Sequence, residues 1–84
     1  MKIMKFSAKW CGPCKMFAPI FDKWTGTLNN VEVENLDVDK DFDKASEYHV
    51  RNIPMLIAVK DSKVHRLQGL KKESELQEWF ESIN

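Results

Sequence analysis

Cys11 and Cys14 are the only thiols in the chain, and Gly12 and Pro13 lie between them. A thiolate is the nucleophile of disulfide exchange. A partner thiol two residues further on can meet it across one helical turn. One sulfur can then attack a substrate disulfide while the other releases the mixed disulfide that results. A purely structural bridge is a poorer reading, because so short a loop constrains the unfolded chain very little. Half a zinc site is poorer still. Zinc takes four ligands, there is no second C-x-x-C, and His49 and His65 are single and far along the chain. No metal is expected. Nothing in the sequence sets a histidine beside Cys11 as a base.

The pair lies where a strand hands over to a helix. Residues 2–8 (KIMKFSA) have apolar residues on both faces, which suits a buried central strand. From Gly12 to about Leu28 the apolar residues Phe17, Ile20, Phe21, Trp24 and Leu28 recur at helical spacing. Pro19 is expected to kink this helix, and Gly26 with Asn29-Asn30 to end it. Cys11 therefore falls at a helix N-terminus. Free N–H groups and the macrodipole favour an anion there, so this thiol is expected to ionise readily. Cys14, a turn inward, is expected to be more buried. Pro13 removes an N–H that would be free in any case and stiffens the first turn. Gly12 leaves room for a substrate backbone.

Residues 31–37 read as a second strand. Asp39 reads as the N-cap of a short helix over 40–49. Pro54 breaks the chain. MLIAV at 55–59 has strand length, Asp61-Ser62 signals a turn, and Lys63–Gln68 reads as the partner strand. Leu76, Trp79, Phe80 and Ile83 make 73–83 an amphipathic helix. The order β-α-β-α-β-β-α belongs to the α/β class. Strands 1 and 2 should be parallel through a right-handed crossover, and strands 3 and 4 an antiparallel hairpin. The four strands form one mixed sheet with helices on both faces.

Eighty-four residues set the size of one domain, 1–84. Thirteen basic and thirteen acidic residues cancel, which argues against a nucleic-acid partner. No apolar run reaches the length of a signal peptide or a membrane span, so the expectation is a cytoplasmic protein without a membrane partner. A reducing cytosol again favours redox chemistry over structural bridging. Lys2, Lys5, Lys9, Lys15 and Lys23 make a basic half that can steer partners. The acidic positions between Glu32 and Asp43 are expected to be a solvated face plus the helix cap.

A C-x-x-C beside a βαβ pattern is the general sign of a thioredoxin-like redox motif. WCGPCKMFAPIF resembles the active-site signature of the thioredoxin family itself. Leu36-Asp37-Val38-Asp39 resembles the end of that family's next strand, and Tyr48–Pro54 the segment leading to its cis-proline. Gly69 matches a glycine near its active site, and LQEWF resembles its closing helix. The likeness runs along nearly the whole chain but lacks the family's first strand and helix, which implies a shortened member. It implies a minimal thioredoxin fold with strand order 2-1-3-4, strand 4 antiparallel to strand 3. Cys11 would be the attacking nucleophile and Cys14 the resolving thiol. Pro54 would be the cis-proline facing the sulfurs, and Ile53 would offer its backbone to an extended substrate. Trp10, Gly12, Pro13, Ile53 and Gly69 would form a flat docking surface. The partners implied are protein disulfides and thioredoxin reductase or a similar dithiol donor. The redox pair needs no further cofactor, and a monomer suffices.

Four positions depart from that family's pattern. Lys5 stands where it has a buried Asp, and Asn35 where its next strand has a Lys. Ser7 replaces a usual Trp, and Met55 a common Thr. Lys5 is expected to lie under the active site and to make Cys14 more acidic. As alternatives it acts as a neutral base, or its side chain reaches out to water. Two other functions stand as alternatives to the disulfide reductase: a glutaredoxin-like electron donor to a dedicated reductase, and a non-catalytic binding subunit. WCGPC favours the reductase.

Overall fold

The computed structural model describes residues 1–83. Its elements are β1 (Lys2–Ser7), α1 (Gly12–Thr25), β2 (Glu32–Asp37), α2 (Phe42–Glu47), β3 (Met55–Lys60), β4 (Lys63–Gln68) and α3 (Glu73–Ile83). The four strands form one sheet in the order β2-β1-β3-β4. β1 is parallel to β2 and antiparallel to β3, and β3 and β4 form an antiparallel hairpin. At the hairpin turn Asp61 and Ser62 both have positive φ, 53° and 66°. Two consecutive left-handed residues match the right-handed twist of the flanking strands.

β1 is central, and alternation along it divides the core. Ile3 faces one side, where Phe17, Phe21 and Trp24 of α1 pack with Leu56, Ala58 and Leu76. Met4 and Phe6 face the other, with Leu36, Ala45, Met55 and Ile57. Helices α1 and α3 therefore cover one face and α2 the other.

Two boundaries differ from the sequence reading. α1 stops at Thr25 rather than near Leu28, and turn bonds from Thr27 N–H to the Trp24 carbonyl and Leu28 N–H to the Thr25 carbonyl carry the chain onward. Gly26 keeps a right-handed φ of −62°, whereas Asn30 takes the left-handed one, 59°. The second helix begins at Phe42, so Asp39 is not its N-cap. Asp41 occupies that position, but its carboxylate accepts the Asp37 N–H at 2.9 Å instead of capping the helix. Asp residues compete with helical bonding by making such local bonds. Lys2 also leaves the basic half, because Glu34 at 2.8 Å and Glu32 at 3.6 Å pair with it across the parallel strands.

Candidate active site

β1 ends at Ser7, and the turn that follows carries Trp10 to the head of α1. Cys11 is the N-cap of α1 in extended conformation, with Pro13 in the first turn. Its Sγ accepts the Cys14 N–H at 3.2 Å. The sulfur thus receives one of the N–H groups that a helix start leaves unpaired, the stabilisation a thiolate there requires. Cys11 and Cys14 form a disulfide with a Cα–Cα distance of 5.3 Å. Both are buried, 6% and 4% exposed, which is the order expected from the sequence but a small difference. Their difference is positional: Cys11 caps the helix, and Cys14 lies inside its first turn.

The sulfurs form a small cluster with Ala8, against which Val38 and Ile53 pack. The Ile53–Pro54 peptide bond is cis. Pro54 is buried, while Gly12 and Pro13 are exposed. Gly69, at φ 96°, donates its N–H to the Pro54 carbonyl at 2.8 Å. That conformation favours glycine. Residues from the β1–α1 turn, the loop before β3 and the end of β4 thereby meet at one end of the sheet.

Trp10 is 68% exposed. Its indole N–H donates to the Asp39 carboxylate at 2.9 Å, and the Asp39 N–H donates to the Asp37 carboxylate at 2.8 Å. Asp39 is the residue that sequence reasoning misplaced: read as a helix cap, it instead holds the exposed tryptophan beside the sulfurs. Its type gave no sign of a partner 29 positions away. Asp39 also borders a groove of about 450 Å³ that includes Val38, Phe42, Val50, His49 and Arg51. His65 lies on β4, in register with Ala58.

Lys5 is buried, 6% exposed. It occupies the α1 side of β1, where its Nζ lies 5.2 Å from the centroid of the Phe21 ring. Burial lowers its pKa, and attraction to Asp22 partly offsets this. A second cavity, of about 200 Å³, is bordered by Lys5, Cys14, Ser7, Lys9, Lys15 and Asp37. Asn35, its neighbour in register on β2, is exposed. Among the described residues, no group of three or more His, Cys, Asp or Glu is arranged to hold a metal ion.

A thiol pair at a helix start, joined as a disulfide, can accept two electrons as a dithiol and pass them to another disulfide. The chain is similar to known proteins along nearly all of its length. The thioredoxin family model matches residues 1–82. A thioredoxin of Chlamydia trachomatis is 40% identical over 75 residues, covering 88% of this chain and 74% of its own. A thioredoxin of Staphylococcus epidermidis is 38% identical over 80 residues, covering 93% and 77%. Among solved structures, a variant of the Halobacterium salinarum thioredoxin superposes with a TM-score of 0.85 at 33% identity, over 96% of this chain and 72% of that one. Fasciola hepatica thioredoxin gives 0.87 at 32%, over 96% and 78%. A match over almost every residue, together with a disulfide at the head of α1, means that the chain belongs to the thioredoxin family and is a thiol-disulfide oxidoreductase, a protein-disulfide reductase working through its Cys-Gly-Pro-Cys dithiol.

Proposed function

We propose that Cys11 is the attacking thiol and Cys14 the resolving thiol of a general protein-disulfide reductase. The observation that carries this assignment is the bond from the Cys14 N–H to the Cys11 sulfur at the helix cap. In the reduced protein the same N–H stabilises a Cys11 thiolate, which attacks one sulfur of a substrate disulfide. The substrate's S–S bond breaks as the Cys11–substrate bond forms, and the departing substrate thiolate takes a proton from water. Cys14, deprotonated, then attacks Cys11 and expels the second substrate thiolate. Two electrons have passed from the dithiol to the substrate, and the Cys11–Cys14 bond remains.

Substrate lies across Trp10, Gly12, Pro13, Ile53, Pro54 and Gly69 in this reading. Support comes from the packing of Ile53 against the cysteines and from the bond between Gly69 and Pro54. An extended peptide pairs with the Ile53 backbone, a sequence-tolerant mode that suits many protein substrates. Thioredoxin reductase or a similar dithiol donor restores the pair, without a prosthetic group. The working unit is a monomer of one domain, 1–84, since one chain supplies every residue of the site. It works in the cytoplasm, because a dithiol that gives up electrons depends on a reducing pool.

The test is insulin reduction driven by dithiothreitol. Turnover that needs both cysteines is expected, and none would leave the chain a binding subunit. Recharging by a flavin reductase rather than by glutathione separates this reading from a glutaredoxin-like donor. A second expectation concerns the order of the thiols. Limited iodoacetamide at neutral pH, on the reduced protein, should label Cys11 several-fold faster than Cys14, as peptide mass mapping reads directly. Predominant label on Cys14 would reverse the two roles.

A further inference from the structure

Among the described residues Lys5 is the charged side chain that the core buries, and the exchange steps above make no use of it. It borders the same cavity as Cys14. We propose that Lys5 is the electrostatic partner of the resolving thiol: its ammonium, on the cavity that Cys14 also borders, stabilises the Cys14 thiolate as it forms. The inference rests on Cys14 being the resolving thiol.

The physical need is clear from burial. A thiol as enclosed as Cys14 ionises with difficulty, because the thiolate leaves water behind. An enclosed ammonium faces the same penalty. Brought together, the two opposite charges offset each other's loss of hydration. While the disulfide is closed, Cys14 carries no charge. Lys5 then has the face of the Phe21 ring and the attraction of Asp22, which do not fully counter its burial. Opening the disulfide supplies the missing anion.

The other groups around this pair do not duplicate the effect. Lys9 and Lys15 border the cavity but are exposed, so water screens them. Asp37, at the end of β2, opposes a thiolate, and its carboxylate already accepts the Asp39 N–H. Asp22 faces Lys5 from α1. From β3, the residue in register with Lys5 is the apolar Leu56, and from β2 it is the uncharged Asn35.

In the resolving step Cys14 gives its proton to water in the cavity. Its sulfur forms the bond to Cys11, the Cys11–substrate bond breaks, and the electron pair leaves on the substrate sulfur. Lys5 keeps its protons throughout. Its part is to lower the energy of the thiolate that attacks.

Lys5→Met, with a side chain of similar length and no charge, tests this. In the reduced protein, NMR titration of Cys14 should show its pKa about one unit or more higher than in the wild type. Resolution of a preformed mixed disulfide should slow about threefold or more at pH 7, because the thiolate fraction falls about tenfold while the more basic thiolate attacks about threefold better, and the deficit should disappear once the pH exceeds both Cys14 values. A Cys14 value within about 0.3 unit of wild type, or an equal slowing at every pH, would overturn the proposal. A reciprocal measurement needs no variant. NMR of the Lys5 side chain in the wild-type protein should show its pKa rising when the disulfide is reduced, because coupling between two sites acts equally on both. No rise would likewise overturn it. Insulin reduction by the wild type is scored separately, so a failure here leaves the reductase reading standing, and a reversed order of alkylation would show that the thiol roles themselves are at fault.

Discussion

Cys14→Ser is expected to convert the protein from a carrier of electrons into a covalent trap. The variant keeps Cys11 at the helix cap, so the first attack on a substrate disulfide still occurs. A serine hydroxyl has no means to break the resulting S–S bond at neutral pH. Incubated with oxidised insulin or a cell extract, the variant should collect partners in adducts that survive denaturation and disappear with dithiothreitol. Catalytic turnover should fall about a thousandfold or more, the scale on which enzymes lose activity when a covalent-catalysis residue is removed. Cys11→Ser should lose comparable activity and collect none of the adducts that pass through position 11. Turnover by Cys14→Ser near the wild-type rate would exclude Cys14 as the resolving thiol.

The second large effect is on stability. Trp24→Ala should unfold much of the population at temperatures the wild type tolerates. Trp24 is among the largest fully buried side chains, 1% exposed. It meets Phe80 of α3 edge-on, with centroids 5.8 Å apart, and Phe21 at 6.2 Å. Its indole N–H donates to the Gln77 side chain at 2.9 Å. Truncating a buried Trp costs about 3–5 kcal/mol. A chain of this length is stable by about 4–12 kcal/mol at the usual value per residue. Thermal unfolding followed by circular dichroism should therefore shift down by about 15 °C or more. A shift below about 5 °C would mean that α1 and α3 are held together by something other than this aromatic contact.

The parts of this structure that could be read in advance are those written in neighbouring residues. α3 declares itself by Leu76, Trp79, Phe80 and Ile83, and its observed span, Glu73–Ile83, is the one that this spacing marks. The hairpin declares itself by the apolar run MLIAV, the turn signal Asp61-Ser62 and a segment of matching length, Lys63–Gln68, beyond it. The redox pair is local as well, since a helix start and its first turn suffice to place two sulfurs together. The rest depends on contacts across the chain. Asp39 bonds an indole 29 positions earlier, and no property of an aspartate in a run of acids marks that partner. Its diversion, with that of Asp41, moves the start of α2 to Phe42. The burial of Lys5 was legible only through the family resemblance, which has a buried Asp at that position, and not from the residue type. A lysine inside a strand usually reaches water, and here α1 closes over it because Phe17, Phe21 and Trp24 anchor the helix to β1.

The hydrogen bond from Gly69 to the Pro54 carbonyl bears on how strongly a partner is gripped. It fastens the segment just after Ile53 to the end of the β hairpin while no substrate is bound. Ordering a loop at the moment of association subtracts from affinity, and a loop ordered during folding no longer incurs that loss. In the docking proposed here, an extended peptide meets a backbone already held in place. A weak, sequence-indifferent contact can then suffice to present a disulfide, and little adhesion remains to delay departure once the electrons have moved.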